Sequence, residues 1–297
     1  MRLIFSILAF FLLALTALAG QFNIYYDPAD EDFVGRIRPF IKDDFERIAA
    51  DVGYYSTKEI EIYISRTSEE FSRLYGKEPP QEIIGFARID PHPLIVLKSP
   101  LLAPQANFRD TLKHEMSHII LLDLFAGREV PRWINEGFAM YESGELRVNH
   151  YAVVASAAVR GELLPLDQLD YAFYSKGSKL DLAYAQSYYL MNYIIGEYGP
   201  DKFKAFVLNF IGSHDLEQAV EETFGIDYDS FEKNWRASIK ERYWLASFLA
   251  YSSPVWIMII IGLAVYFVRK RRNQKIVEKW EEEELENPFF HGKIDGQ

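Results

Sequence analysis

Residues 107–142 read NFRDTLKHEMSHIILLDLFAGREVPRWINEGFAMYE. Asn107 can cap a helix, with Asp110 in its first turn. The following residues are apolar on every side from Ile119 to Leu122, which predicts a buried helix reaching Ala126. Gly127 ends that helix and Pro131 prevents its resumption. A second helix is expected from about Arg132 to Glu142, able to return antiparallel to the first. Within the first helix, His114 and His118 stand at i and i+4, on one face with Cβ atoms ~6 Å apart. Two unpartnered histidines and Glu115 would be costly inside a buried helix. Two such imidazoles can both reach one zinc ion at ~2.0–2.1 Å. Glu136, 18 positions beyond His118 on the returning helix, supplies a third ligand and leaves a fourth position open to water. Glu115 is then beside the ion rather than on it, where it can take a proton from an attacking water. The competing reading is a helix hairpin stapled by satisfied core polar groups.

Upstream, the pattern alternates between strand and helix. Phe22 to Tyr26 is a short apolar run with strand character, and Phe33, Ile37, Ile41, Phe45, Ile48 and Val52 recur at helical spacing, with Pro39 as an expected kink. Glu59 to Ser65 alternates strictly, with Ile60, Ile62 and Ile64 on one face. A short helix around Ser68 to Tyr75 precedes two further strand candidates, Ile83–Ile89 and Leu94–Lys98, with Pro91 and Pro93 marking the turn between them. Downstream, helical patterns follow at Asn149–Arg160, Ala183–Tyr198, Asp201–Ile211, Leu216–Phe224 and Tyr228–Tyr243.

The two ends carry different signals. Met1 to Ala19 has Arg2, an apolar run from Leu3 to Leu15 and a small-residue Ala17-Leu18-Ala19 site, the pattern of a secretory signal peptide. Trp244 to Val268 holds no charge and is followed at once by Arg269, Lys270, Arg271 and Arg272. That pattern predicts a single transmembrane helix, with the bulk of the chain outside the cytoplasm and a short tail inside. Residues 20–268 contain 24 basic and 36 acidic side chains, and the whole chain carries a net charge of −11. Such acidity argues against nucleic acid and anionic lipid as partners of the outer part and is read as a broadly solvated surface. The chain has no cysteine, so no disulfide supports it and a metal must be held by histidine and carboxylate.

At His114, Glu115, His118 and Glu136 the chain resembles the gluzincins, zinc peptidases with two histidines and a distal glutamate. It is most similar to peptidase-like domains in which a Trp-(Leu/Ile)-Asn-Glu-Gly-x-Ala segment supplies that glutamate, here Trp133 to Ala139. The likeness runs on through Tyr184-Ala185-Gln186-Ser187-Tyr188, Glu197-Tyr198-Gly199, Phe224-Gly225 and Trp235. The resemblance implies a thermolysin-like core with a small sheet whose edge strand lines the cleft. It also implies Tyr184 as the donor to the oxyanion; apart from the resemblance, His150 is the second choice, against a surface histidine at a helix start. No Gly-x-Met-Glu-Asn segment, with which the related aminopeptidases bind a free amine, precedes the helix, so an endopeptidase is expected. Asp123 is the candidate for orienting the histidines.

The reading is therefore an α+β protein. Its expected layout is a signal peptide (1–19), a mixed α/β sheet lobe (20–106), a helical zinc-peptidase lobe (107–243), a transmembrane helix (244–268) and a cytoplasmic tail (269–297). The expected function is hydrolysis of peptide bonds, outside the cytoplasm and at the membrane, with one Zn2+ per chain, on a peptide or protein substrate. A catalytically silent binding domain at the membrane surface, or a hydrolase of a non-peptide amide, are the alternatives.

Overall fold

Three parallel strands, joined by helical crossovers, form the base on which the helices pack. The structure, a computed structural model, describes residues 21–80, 82–144 and 148–286. Strands β1 (Phe22–Tyr25), β2 (Ile60–Ser65), β3 (Gly85–Arg88) and β4 (Leu94–Lys98) make one sheet in the order β1-β2-β4-β3. β1, β2 and β4 run parallel, in a register that sets Ile24 beside Ile62 and Ile62 beside Ile95. β3 is antiparallel to β4 and forms an edge. Parallel neighbours need a long connection. Helix α1 (Glu31–Val52) supplies it between β1 and β2, and α2 (Ser68–Tyr75) lies between β2 and the β3–β4 hairpin. α1 continues through Pro39 as a single helix.

Burial follows from that topology. Ile60, Ile62 and Ile64 are all buried, as their alternation requires. Central strand β4 is buried at Leu94, Ile95, Val96 and Leu97, so both of its faces are covered. Phe71 of α2 packs with Leu94 and Val96 on one face. Toward the other lies the helix that carries the two histidines, α3 (Phe108–Leu124). A Cβ on Gly85 would stand 3.1 Å from Thr111 of α3 and 2.7 Å from Leu97, so glycine permits the close approach of β3 to that helix.

α3 starts where expected, with Asn107 accepting from the Asp110 amide at 3.4 Å. Phe33 meets Phe108 edge-on at 4.7 Å, and Arg109 forms a two-pronged pair with Asp44 at 2.9 and 3.0 Å, which fixes α3 on α1. Helix α4 (Arg132–Ser143) follows. The helices that follow in the chain are α5 (Val148–Arg160), a one-turn α6 (Leu169–Ala172), α7 (Ser178–Tyr193), α8 (Pro200–Ser213) and α9 (Leu216–Phe224). α7 ends in a wider turn over Ile194–Tyr198. The protein is thus mostly helical, with one small mixed sheet. Two compact units are present, one through Arg242 and one from Tyr243. Helix α10 (Tyr228–Glu286) begins in the first, where Phe231, Trp235 and Ile239 are buried in the core.

The second unit corrects the expected transmembrane helix at 244–268. Among the described residues no helix is long and apolar enough to cross a membrane. The uncharged stretch is not uniformly apolar, since Tyr251-Ser252-Ser253-Pro254 interrupts it. The run beyond, Val255–Val268, is 14 residues and reaches about 21 Å at 1.5 Å per residue, short of the ~30 Å of hydrocarbon. The signal-peptide segment, 1–19, and the end of the tail, 287–297, lie outside the described residues.

Candidate metal centre

Helical periodicity on α3 brings His114 and His118 together. Their rings meet edge-on at 4.8 Å between centroids. α4 packs beside α3 and turns Glu136 toward both. Glu136 Oε2 lies 3.8 Å from His114 Nε2 and 4.0 Å from His118 Nε2. One donor atom from each of the three residues lies within 4.8 Å of the others. Two donors each ~2.0–2.1 Å from a tetrahedral zinc would stand ~3.3 Å apart, so a shift of under an ångström per side chain suffices. The three side chains are 13–17% exposed, enclosed yet open to solvent on one side.

The tautomer of one imidazole is set by its neighbour. His118 Nδ1 lies 2.9 Å from Asn135 Oδ1. The amide oxygen can only accept, so Nδ1 carries the proton and Nε2 presents its lone pair to the cluster. The donor set, two imidazoles and one carboxylate, has the composition of a catalytic zinc site. The residues present therefore fit a zinc ion.

α4 is held in place at both its start and its side. Its first amides lack partners within the helix, and Pro131 has no side-chain acceptor to offer. Asp170, on α6, takes that role by accepting from the Trp133 amide at 2.9 Å. Burial raises the Asp170 carboxyl above its ordinary range, against the opposing hydrogen bonds from the Trp133 and Arg132 amides. Along its side, α4 touches α7 at Gly137, where a Cβ would stand 2.6 Å from the Ser187 carbonyl oxygen. Phe138 stacks on Phe203 of α8 at 5.4 Å.

The other residues singled out by sequence fall as follows. Glu115 is buried on α3, between the two histidines in sequence. Tyr184 lies half-buried on α7 with its ring edge-on to Phe173 at 5.0 Å. His150 is half-buried at the start of α5. Asp123 is engaged elsewhere, with Lys58 Nζ at 2.6 Å and the Tyr54 hydroxyl at 2.8 Å. Burial pushes its carboxyl up, but these bonds and one from Ser56 outweigh it and hold the carboxyl below its usual range. Orientation of His118 falls to Asn135 instead. Its signal was a carboxamide directly before Glu136. Asp170 had no local signal, because it caps a helix 37 residues away.

Residues 41–241 match the Peptidase MA superfamily. The chain belongs to that superfamily. It therefore carries a peptidase-type domain, and superfamily members are usually zinc-dependent. Comparison with curated proteins gives no match.

Proposed function

We propose that this member of the peptidase MA superfamily is a zinc-dependent peptidase of the gluzincin type. The observation that carries the reading is the convergence of His114, His118 and Glu136, with their donor atoms within 4.8 Å of one another on two packed helices. These three residues would hold the ion. A bound zinc supplies Lewis acidity, which polarises a scissile carbonyl and makes a water acidic enough to attack near neutral pH.

The chain's own residues do the rest. Glu115 takes the proton of the attacking water and passes it to the leaving amine, a role that needs a carboxylate beside the ligands rather than among them. Asn135 keeps His118 in the tautomer whose Nε2 is free to bind. Tyr184 donates to the oxyanion that forms on the carbonyl oxygen. The edge position of β3, next to α3, supports the binding of an extended peptide as an added strand. The leader pattern at 1–19 supports action outside the cytoplasm.

Metal analysis of the purified chain tests the site. One zinc per chain is expected, with none retained when His114, His118 or Glu136 is replaced by alanine. Full zinc occupancy in the His114→Ala chain would remove the proposed ligand set.

A further inference from the structure

Arg132 begins α4, four residues before Glu136 and three before Asn135. On a helix those spacings place the three residues along one face. Asn135 and Glu136 both reach the histidines of α3, so Arg132 continues that line one turn away. Its guanidinium lies 5.2 Å from the centre of the Phe173 ring and 5.6 Å from that of Tyr174. Both distances are within cation–π reach, so two rings hold the side chain in one direction.

Its acidic neighbour Asp170 feels the charge of Arg132 without forming an ion pair with it. Among the described residues, no carboxylate oxygen lies within 4.0 Å of the Arg132 guanidinium. Asp170 is close, but it accepts the backbone amides of Arg132 and Trp133 at the helix end. Several other arginines of this acidic chain have a carboxylate in reach, as Arg47, Arg66, Arg109 and Arg236 do. Tyr174, 77% exposed, is the outward half of this aromatic shelf, and Phe173, buried, is its inner half. The shelf also adjoins Tyr184, the proposed oxyanion donor, whose ring meets Phe173 edge-on at 5.0 Å. A half-buried, ring-braced guanidinium with open fork positions, one turn from a metal ligand, is built to receive a planar anion.

We propose that Arg132 is a specificity-determining residue beside the candidate metal centre and binds a carboxylate of the peptide substrate. The inference rests on the peptidase reading above. Two sources share the chemistry, an acidic side chain of the substrate and its C-terminal carboxylate. Either would be held by paired N–H···O bonds from the guanidinium, with the Phe173 and Tyr174 rings fixing its plane.

Binding separates the sources without turnover. The full chain carrying Glu115→Gln and loaded with zinc is titrated with three fluorescent hexapeptides, read by anisotropy. One has an internal Glu and an amidated end, one has Gln there and an amidated end, and one has Gln and a free carboxylate. At least one carboxylate peptide should bind about tenfold tighter than the neutral one, the scale of one hydrogen-bonded charge pair. Adding Arg132→Gln should abolish that preference and leave the neutral peptide's affinity unchanged, whereas Arg132→Lys should keep part of it. A preference that survives Arg132→Gln, or none at all, overturns the assignment. Hydrolysis of the same peptides by the chain with Glu115 intact reports on the peptidase reading by itself. Cleavage without carboxylate preference removes the Arg132 role alone, and failure to bind any of the three removes both.

Discussion

His118 donates from Nδ1 to Oδ1 of Asn135 across 2.9 Å, joining α3 to α4 beside Glu136. The bond does two things at once. It fixes the tautomer of a metal-binding imidazole and sets the distance between the two helices that supply ligands. Asn135→Ala should therefore weaken zinc binding by about 10- to 100-fold, the range seen when such outer partners are lost. Competition against a chelator measures this. Asn135→Asp retains an acceptor and should lose less. Unaltered affinity in Asn135→Ala would mean that the bond does not orient the ring.

Gly137 tests how tightly α4 must approach α7. An added methyl would stand 2.6 Å from the Ser187 carbonyl oxygen and 2.9 Å from its carbon, both backbone atoms that cannot swing away. Gly137→Ala gains up to about 1 kcal/mol of helix propensity, yet overpacking of this kind costs about 1–3 kcal/mol. Net destabilisation in urea is expected, together with weaker zinc binding, because the displaced residue is next to Glu136. An alanine variant as stable as the parent would show that the helices have room to part.

Gly137 also marks where sequence reading stops. The histidine pair, the returning helix and Glu136 were legible because helical periodicity acts over four residues and a turn over a few more. The strand pattern of Ile60, Ile62 and Ile64 was legible for the same local reason. The contact of Gly137 with Ser187 joins helices 50 residues apart, and nothing near either residue announces it. The Asp170 cap on α4 is equally remote. Asp123 misled for the converse reason. It stands on the right helix, but its partners, Lys58 and Tyr54, come from the segment between α1 and β2. The stretch at 244–268 lacks charge, but Tyr251-Ser252-Ser253-Pro254 divides it, and absence of charge alone does not make a span.

Glu142 gives a pH dependence away from the metal. Its side chain is fully enclosed, Arg47 Nη1 lies 2.6 Å from Oε2, and Oε1 has no partner among the described residues. Burial pushes its carboxyl up from 4.5 to about 7, Arg47 opposes the rise and Asp51 adds to it. The folded chain thus keeps a proton that the unfolded chain releases. The resulting stability is fully present below pH 4.5 and is lost as pH rises through about 7. Its size is about 3 kcal/mol. Glu142→Gln preserves an acceptor for Arg47 and removes the ionisation. Between pH 5 and 8 the parent should lose about 2–3 kcal/mol relative to this variant, the rest of the effect lying below pH 5. Parallel stability curves would show that Glu142 does not titrate in that window.

Tyr184→Phe deletes a hydroxyl and leaves the ring against Phe173. If the phenol donates to the oxyanion, zinc content and folding should be unchanged while turnover falls ~10²-fold or more. Binding of an uncleaved peptide should weaken far less, since the donor acts in the transition state. Tyr189→Phe, on another face of α7, and Tyr188→Phe, one turn along the same face, are the controls. Equal losses in all three would assign the effect to packing.

The most direct measurement is digestion of a peptide library by the zinc-loaded chain, beside the zinc-loaded Glu115→Gln variant and a chelator-treated sample. Glu115→Gln removes a base and no ligand, so it should keep its zinc and lose turnover. The parent should cut peptides internally, and the chelator should stop it until zinc is restored. Equal cleavage by the parent and Glu115→Gln, or no cleavage of any peptide by a fully zinc-loaded parent, would contradict the account.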